Sequence, residues 1–236
     1  MEANIARCSL GLCERYKSSF TLFFFLVFVS SAAIAADSAN ITFSLSFPGS
    51  DPESYSISLD SNSHAKYKSV ARISSDSEDR ETYETEFQFS PGNCTRIFEL
   101  AGQSHYFAGK IDSGNHKIAF TGAKKLTYRD ANRTNTAEFN YSSLAPVQQT
   151  IAIFQNVAAT MEFGRRLAHF HRYQKLALDD ELKRMESQAQ DNQLSELQAV
   201  EPTLREIFED TSVMNVVRAR AQRLIDLGKK EDLAGH

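Results

Sequence analysis

Ile41-Thr42-Phe43-Ser44-Leu45-Ser46-Phe47 alternates strictly between apolar and polar residues, and Tyr55-Ser56-Ile57-Ser58-Leu59 repeats the pattern. A period of two puts successive side chains on opposite faces of a strand, so each segment reads as a β-strand with one buried and one wet face. The intervening Pro48-Gly49-Ser50-Asp51-Pro52 is dense in turn formers, which makes an antiparallel pair the natural outcome. Working outward, a third strand is expected over Ala65–Arg72. A charged loop, Ser74–Glu81, separates it from a fourth over Thr82–Phe89, where Tyr83, Thr85, Phe87 and Phe89 resume the alternation. Ser90-Pro91 reads as a helix start, with Ser90 as N-cap, Pro91 at the first helical position and Ile97, Phe98, Leu100 and Ala101 on the apolar face. Lys117–Phe120 and Leu126–Tyr128 are expected to form a hairpin around Thr121-Gly122-Ala123, followed by a strand over Thr136–Tyr141.

The pattern changes at Pro146. Val147, Ile151, Phe154, Ala158 and Met161 recur at helical spacing, and Leu167, Phe170, Leu178, Leu182 and Met185 carry the helical run onward past Gly164, a kink or a fresh start. The polar stretch Ser187–Asn192 ends that run. A further helix is expected over Gln193–Glu209, kinked or restarted at Pro202, and a last one over Val213–Leu227 after the cap-rich turn Asp210-Thr211-Ser212. The fold class is therefore α+β: an antiparallel sheet of six or seven strands in residues 36–163, with helices near 91–103 and 146–163 on one face, then an α-helical C-terminal extension over 164–236.

The run Tyr55-Ser-Ile-Ser-Leu-Asp, followed by Ala65-Lys-Tyr67 and then strand, helix, hairpin, strand and helix through Met161, resembles small exported bacterial domains of unknown function. The whole chain is similar to uncharacterised exported bacterial proteins. Neither likeness implies an activity, a cofactor or catalytic residues. Leu204–Leu227 resembles one helical hairpin of the HEAT-repeat kind. No second copy recurs at a fixed period, so the hairpin is expected to pack on the helices before it.

Phe20–Ala36 is an apolar run that fades into small residues and follows Arg7, Arg15 and Lys17. That is the layout of a secretory signal, and Ala33-Ile34-Ala35 places cleavage after Ala35. The expected location is extracytoplasmic, periplasmic or secreted, with membrane attachment only if the segment is retained. Removing residues 1–35 takes away three basic and two acidic groups, leaving 23 Lys+Arg against 28 Asp+Glu. This mildly acidic balance does not steer the protein toward nucleic acid. Of three cysteines, Cys8 and Cys13 leave with the signal; Cys94 stays without an intramolecular partner and is expected to be a buried small hydrophobe. Asn40, Asn93, Asn132 and Asn140 stand in Asn-x-Ser/Thr sequons, discounted on a bacterial reading.

Phe163-Gly-Arg-Arg-Leu-Ala-His-Phe-His-Arg-Tyr-Gln-Lys175 is the stretch richest in chemistry. On a helix Arg165, His169 and Arg172 share a face, with Arg166 beside them. Guanidinium groups chelate oxyanions, so these four are the candidates for binding an anion or an acidic partner. The alternative is a solvated face paired with Glu162, Asp179 and Asp180. His169 and His171 point about 200° apart on a helix and cannot share one ion, so no metal or other cofactor is expected. Gly102-Gln103-Ser104-His105-Tyr106 lacks the second glycine of a nucleophile elbow, and Ser63-His64-Ala65-Lys66 enters a strand rather than a helix. The acidic loop Asp76–Glu81 lacks the spacing of an EF-hand, and Tyr106-Phe107 are expected to close the core.

Three functional readings follow. The first is a non-catalytic interaction or scaffold protein that docks an envelope protein through the helical tail and the Arg/His face. The second is a small-ligand module with a sheet–helix pocket lined by Phe87, Phe107 and Phe139. The third is a hydrolase with dispersed residues, such as His105 or His169 beside an acid, which requires a histidine within hydrogen-bond reach of a carboxylate or nucleophile in a cleft.

Overall fold

The computed structural model describes residues 38–72, 79–114 and 117–234. The apolar N-terminal segment with its cleavage site, and most of the acidic 74–81 loop, lie outside the described residues. Residues 35–236 group as one compact unit.

Six strands form one antiparallel sheet: β1 (Asn40–Ser46), β2 (Ser54–Asp60), β3 (His64–Arg72), β4 (Arg80–Gln88), β5 (Ala123–Arg129) and β6 (Thr134–Phe139). Their spatial order is β4-β3-β2-β1-β5-β6. The first four are a simple meander. The chain then crosses through helix α1 (Pro91–Gln103) and returns so that β5 pairs with the free edge of β1. The α+β class, the meander and the helical C-terminus thus match the sequence pattern. Two details differ. Among the described residues, 117–122 carries no strand, because both edges of β5 are occupied, by β1 and β6. Glu81 belongs to β4, not to a loop, and pairs with Ala71.

One face of the sheet is apolar. Ile41, Phe43, Ile57, Leu59, Tyr67 and Leu126 are fully buried on it. Helix α2 (Ala145–Tyr173) covers them with Val147, Ile151, Phe154, Val157 and Met161, and Phe43 stacks on Phe154 at 5.6 Å between ring centres. Helix α1 adds Ile97, Leu100 and Ala101. Its start is capped as expected: Ser90 Oγ accepts from the Asn93 N–H. A second cap comes from far along the chain. The Glu196 carboxylate accepts from Ser90 N (2.7 Å), Ser90 Oγ (2.8 Å) and Asn93 Nδ2 (2.7 Å), a negative charge at the positive end of a helix dipole.

The expected boundary at 163/164 falls inside α2, which runs unbroken through Gly164. A Cβ at Gly164 would lie 2.5 Å from Val200 Cγ1, so glycine is there for close approach and not as a kink. Helices α3 (Leu178–Gln190) and α4 (Glu201–Glu209) pack on α2, and α5 (Asn215–Ala234) packs on α3 and α4. Pro202 stands in the first turn of α4, which follows a 3-10 turn at Leu197–Val200, so it marks a fresh start. No helix among the described residues is long and apolar enough to cross a membrane.

Candidate binding groove on the open face of the sheet

The four candidate anion-binding residues do not form one surface. Arg165 turns into the protein, with 5% of its side chain exposed. Its Nε donates to Glu162 (2.9 Å), and its Nη1 donates to the Arg72 carbonyl (3.1 Å) and to Glu81 (3.2 Å). Glu162, itself buried, also accepts from Tyr67 Oη (2.9 Å) and Ser69 Oγ (2.7 Å). Burial pulls the Arg165 guanidinium down, but Glu162, together with Asp51 and Glu81, outweighs it and holds the group above its ordinary value. Burial, reinforced by the same carboxylate, pushes the Tyr67 hydroxyl well above the tyrosine range. Arg166 points toward α3, where its Nε donates to the fully buried Glu181 at 2.7 Å; burial holds it below the usual arginine value. His169 packs against Phe170 and Tyr173, and Arg172 lies over the exposed Tyr173 ring. Both deeper arginines are thus spent on internal carboxylates.

His171 finds the carboxylate. Its Nε2 lies 2.9 Å from Asp210 Oδ2, which also accepts from Lys175 Nζ at 2.6 Å. Asp210 Oδ1 accepts from the Ser212 hydroxyl (2.6 Å) and N–H (2.9 Å). The Lys175, Ser212 and His171 donors hold Asp210 far below the usual carboxylate range. This cluster ties the end of α2 to the α4–α5 turn. The other expected motifs resolve into structure. Ser104 Oγ donates to the Leu100 carbonyl at the end of α1, Lys66 pairs with Glu84, and Phe107 is buried. Cys94 is free and buried. Among the described residues no three His, Cys, Asp or Glu side chains come together to hold a metal ion.

Among the described residues no helix covers the opposite face of the sheet, and its relief comes from side-chain length. Asn40, Thr42, Ser44 and Ser46 on β1 and Ser54, Ser56, Ser58 and Asp60 on β2 point outward along the two central strands. The flanking strands carry long side chains there. One row across the sheet reads Glu84, Lys68, Ser56, Ser44, Lys125, Glu138. Short residues between long ones make a trough with a hydroxyl floor. One hollow in it, about 530 Å³, is lined by Ser44, Ser54, Ser56, Lys68 and Lys125 together with the apolar Leu45, Tyr55, Val70, Phe120 and Phe139. A second hollow, holding Ser58, Asp60, His64 and Lys66, continues on the same face.

The walls carry their own counter-charges. Lys66 pairs with Glu84 (2.5 Å) and Glu86 (3.7 Å), Lys68 with Glu84 (3.6 Å), and Lys125 with Glu138 (2.9 Å). On the floor, Asn40, Thr42 and Ser58 bond to one another. The hydroxyls of Ser44, Ser46, Ser54 and Ser56 make no hydrogen bond to protein among the described residues.

Phe120, 57% exposed, overhangs one end and meets Phe47 edge-on at 5.9 Å. Its loop is braced from below. Lys124 is buried and places its ammonium on the Thr121 carbonyl (3.2 Å), Thr121 Oγ1 (2.8 Å) and the Asn140 carbonyl (3.0 Å). Burial pulls the Lys124 amine below its ordinary value. The Asn140 amide spans the loop, accepting from Thr121 N and donating to the Ala119 carbonyl. Sequence reasoning missed this groove. Its signal was the serines at the outward positions of two neighbouring strands.

The fold and groove together define an α+β protein whose sheet is helix-covered on one face and carries on the other a trough lined by serines and apolar side chains. No protein-family model matches the chain, and no curated protein matches it in sequence.

Proposed function

We propose that the protein is a non-catalytic binding protein of the cell envelope, acting outside the cytoplasm, and that its binding surface is the open face of the sheet. The observation that carries this reading is the trough: four serine hydroxyls without a hydrogen-bond partner among the described residues, on two central strands between self-neutralised Lys/Glu walls. Rigid strands hold such groups in place before a ligand arrives, which lowers the ordering cost of binding. A docking face on the helical tail draws less support, since Arg165 and Arg166 are committed to Glu162, Glu81 and Glu181. A sheet–helix pocket draws little either, since Phe107 and Phe139 are packed in the core and Phe87 stacks on Phe89.

One observation favours an enzyme: His171 lies within hydrogen-bond reach of Asp210. The Ser212 hydroxyl, however, bonds to the carboxylate and not to the imidazole, so no nucleophile is aligned on the histidine.

The test is co-sedimentation with the insoluble envelope fraction of the producing cells. It compares the native chain with a trough-filled variant, Ser44→Glu with Ser56→Arg. These positions face each other across β1 and β2, so the pair adds an opposite-charge cross-strand contact and leaves net charge unchanged. The native protein should sediment and the variant stay in solution. Equal behaviour of the two would overturn the reading.

A further inference from the structure

We infer that the trough takes a neutral, extended glycan chain, lying along β1 and β2 with a sugar ring against Phe120. This deepens the function proposed above and rests on the open face being the binding surface.

Charge is the first argument. Three lysines (Lys66, Lys68, Lys125) stand against three glutamates (Glu84, Glu86, Glu138), each lysine already ion-paired, and in the row through Asn40 the opposite charges of Asp60 and Arg129 stand on its two sides. A balanced surface of this kind draws in neither nucleic acid nor an acidic polymer, whose binding needs unmatched cations.

The floor is the second. Each serine hydroxyl offers one donor and two acceptor positions, and four of them lie within two adjacent strands. They suit a ligand that donates and accepts at close intervals along its length, as the hydroxyls of a sugar chain do. An extended peptide would instead seek an unpaired strand edge for its backbone groups. β1 and β2 have none, because β1 is paired with β2 and β5, and β2 with β1 and β3.

The third is the aromatic plate. Phe120 is exposed on a loop held by Lys124 and Asn140, so it stays out of the core and presents an apolar face to the C–H side of a pyranose ring. β1 is seven residues long, giving the trough a length of about 20 Å, enough for several sugars.

The experiment titrates the native chain with chitohexaose and with cellohexaose, two neutral extended hexasaccharides, by calorimetry at low and high salt. At least one should bind, with an affinity that salt leaves unchanged. Phe120→Ala should weaken it by about three- to tenfold, the range of an aromatic contact, and Ser44→Glu with Ser56→Arg should abolish it. Circular dichroism shows that both variants are folded. Binding of neither sugar, or binding that both variants retain, overturns the inference. The envelope sedimentation separates the two levels. If the native chain sediments, the filled variant does not, and the hexasaccharides neither bind nor displace, the glycan assignment fails while the binding face stands. If both chains sediment alike, the face itself is wrong.

Discussion

Replacing Glu162 by alanine should be among the most damaging single changes to this fold. The carboxylate is buried, with Tyr67 Oη and Ser69 Oγ on Oε1 and Arg165 Nε on Oε2. Removing it leaves the Arg165 guanidinium, 5% exposed, with the half-exposed Glu81 at 3.2 Å and the more distant charge of Asp51. Breaking a buried ion pair from one side costs about 3–5 kcal/mol, and each orphaned hydroxyl adds about 1 kcal/mol. A total of about 5–7 kcal/mol lowers the melting temperature by roughly 10–28 °C in a chain of this size. The assay is urea and thermal unfolding followed by far-ultraviolet circular dichroism, since the chain has no tryptophan to report. The decisive comparison is a cycle. Glu162→Leu with Arg165→Met removes both charges and restores apolar volume, and it should lie within about 2 kcal/mol of the native chain, because removing a whole buried pair is often close to neutral. The reasoning is refuted if Glu162→Ala costs under about 1 kcal/mol, or if the double variant costs the sum of its singles.

Gly164→Ala gains about 1 kcal/mol of helix propensity but drives a Cβ to 2.5 Å from Val200 Cγ1. The clash, about 1–3 kcal/mol, should win in denaturant melts, and Val200→Ala in the same chain should relieve it. Asp210 is held below the usual carboxylate range by Lys175, Ser212 and His171. Its stabilisation is therefore complete above the unfolded aspartate value near 4 and is lost as pH falls from there through the lower folded value. Melting temperature measured against pH should fall less steeply below pH ~4 for Asp210→Asn than for the native chain, and identical profiles would refute the assignment. Cys94 is buried, its thiol donating to the Asp60 carbonyl at 3.7 Å. In a background with Cys8→Ser and Cys13→Ser it should react with a thiol reagent only on unfolding; rapid labelling of the folded chain would contradict the packing.

The strands were legible because period-two alternation is a direct image of side-chain geometry: β1, β2 and β3 fall within a residue or two of the expected segments. The start of α1 was legible for a similar reason, since the Ser90 cap is a local hydrogen bond. What failed was non-local. Ile118 and Phe120 alternate like strand residues, but a strand needs a neighbour, and β5 already has β1 and β6. Gly164 punctuates the sequence, yet its reason is Val200, which no local window contains. Helical period puts Arg165, His169 and Arg172 on one stripe of α2, but the structure does not make them one surface. Which part of that stretch faces inward depends on Tyr67, Ser69 and Glu181, brought there by the sheet and α3. The trough was hidden because nothing local reveals that β1 is central. Only the return of β5 to its free edge turns the serines of β1 and β2 from an edge feature into the floor of a groove.

Those serines also offer a test that sets stability against binding. Strand positions half-open to water favour β-branched residues, and the propensity scale spans about 1 kcal/mol. Ser44 and Ser56 face each other in the middle of the sheet, between Lys125 and Lys68, where threonine should serve the fold better. Ser44→Thr with Ser56→Thr should therefore raise the urea midpoint, by up to about 1 kcal/mol in stability, while the added methyl groups narrow the floor and weaken whatever the trough holds. A gain in stability together with a loss of envelope retention would mean that the groove is kept at the fold's expense, as expected of a working surface. A loss of stability would mean that serine suits the packing of these strands, and the hollow above it would then be a by-product of the sheet.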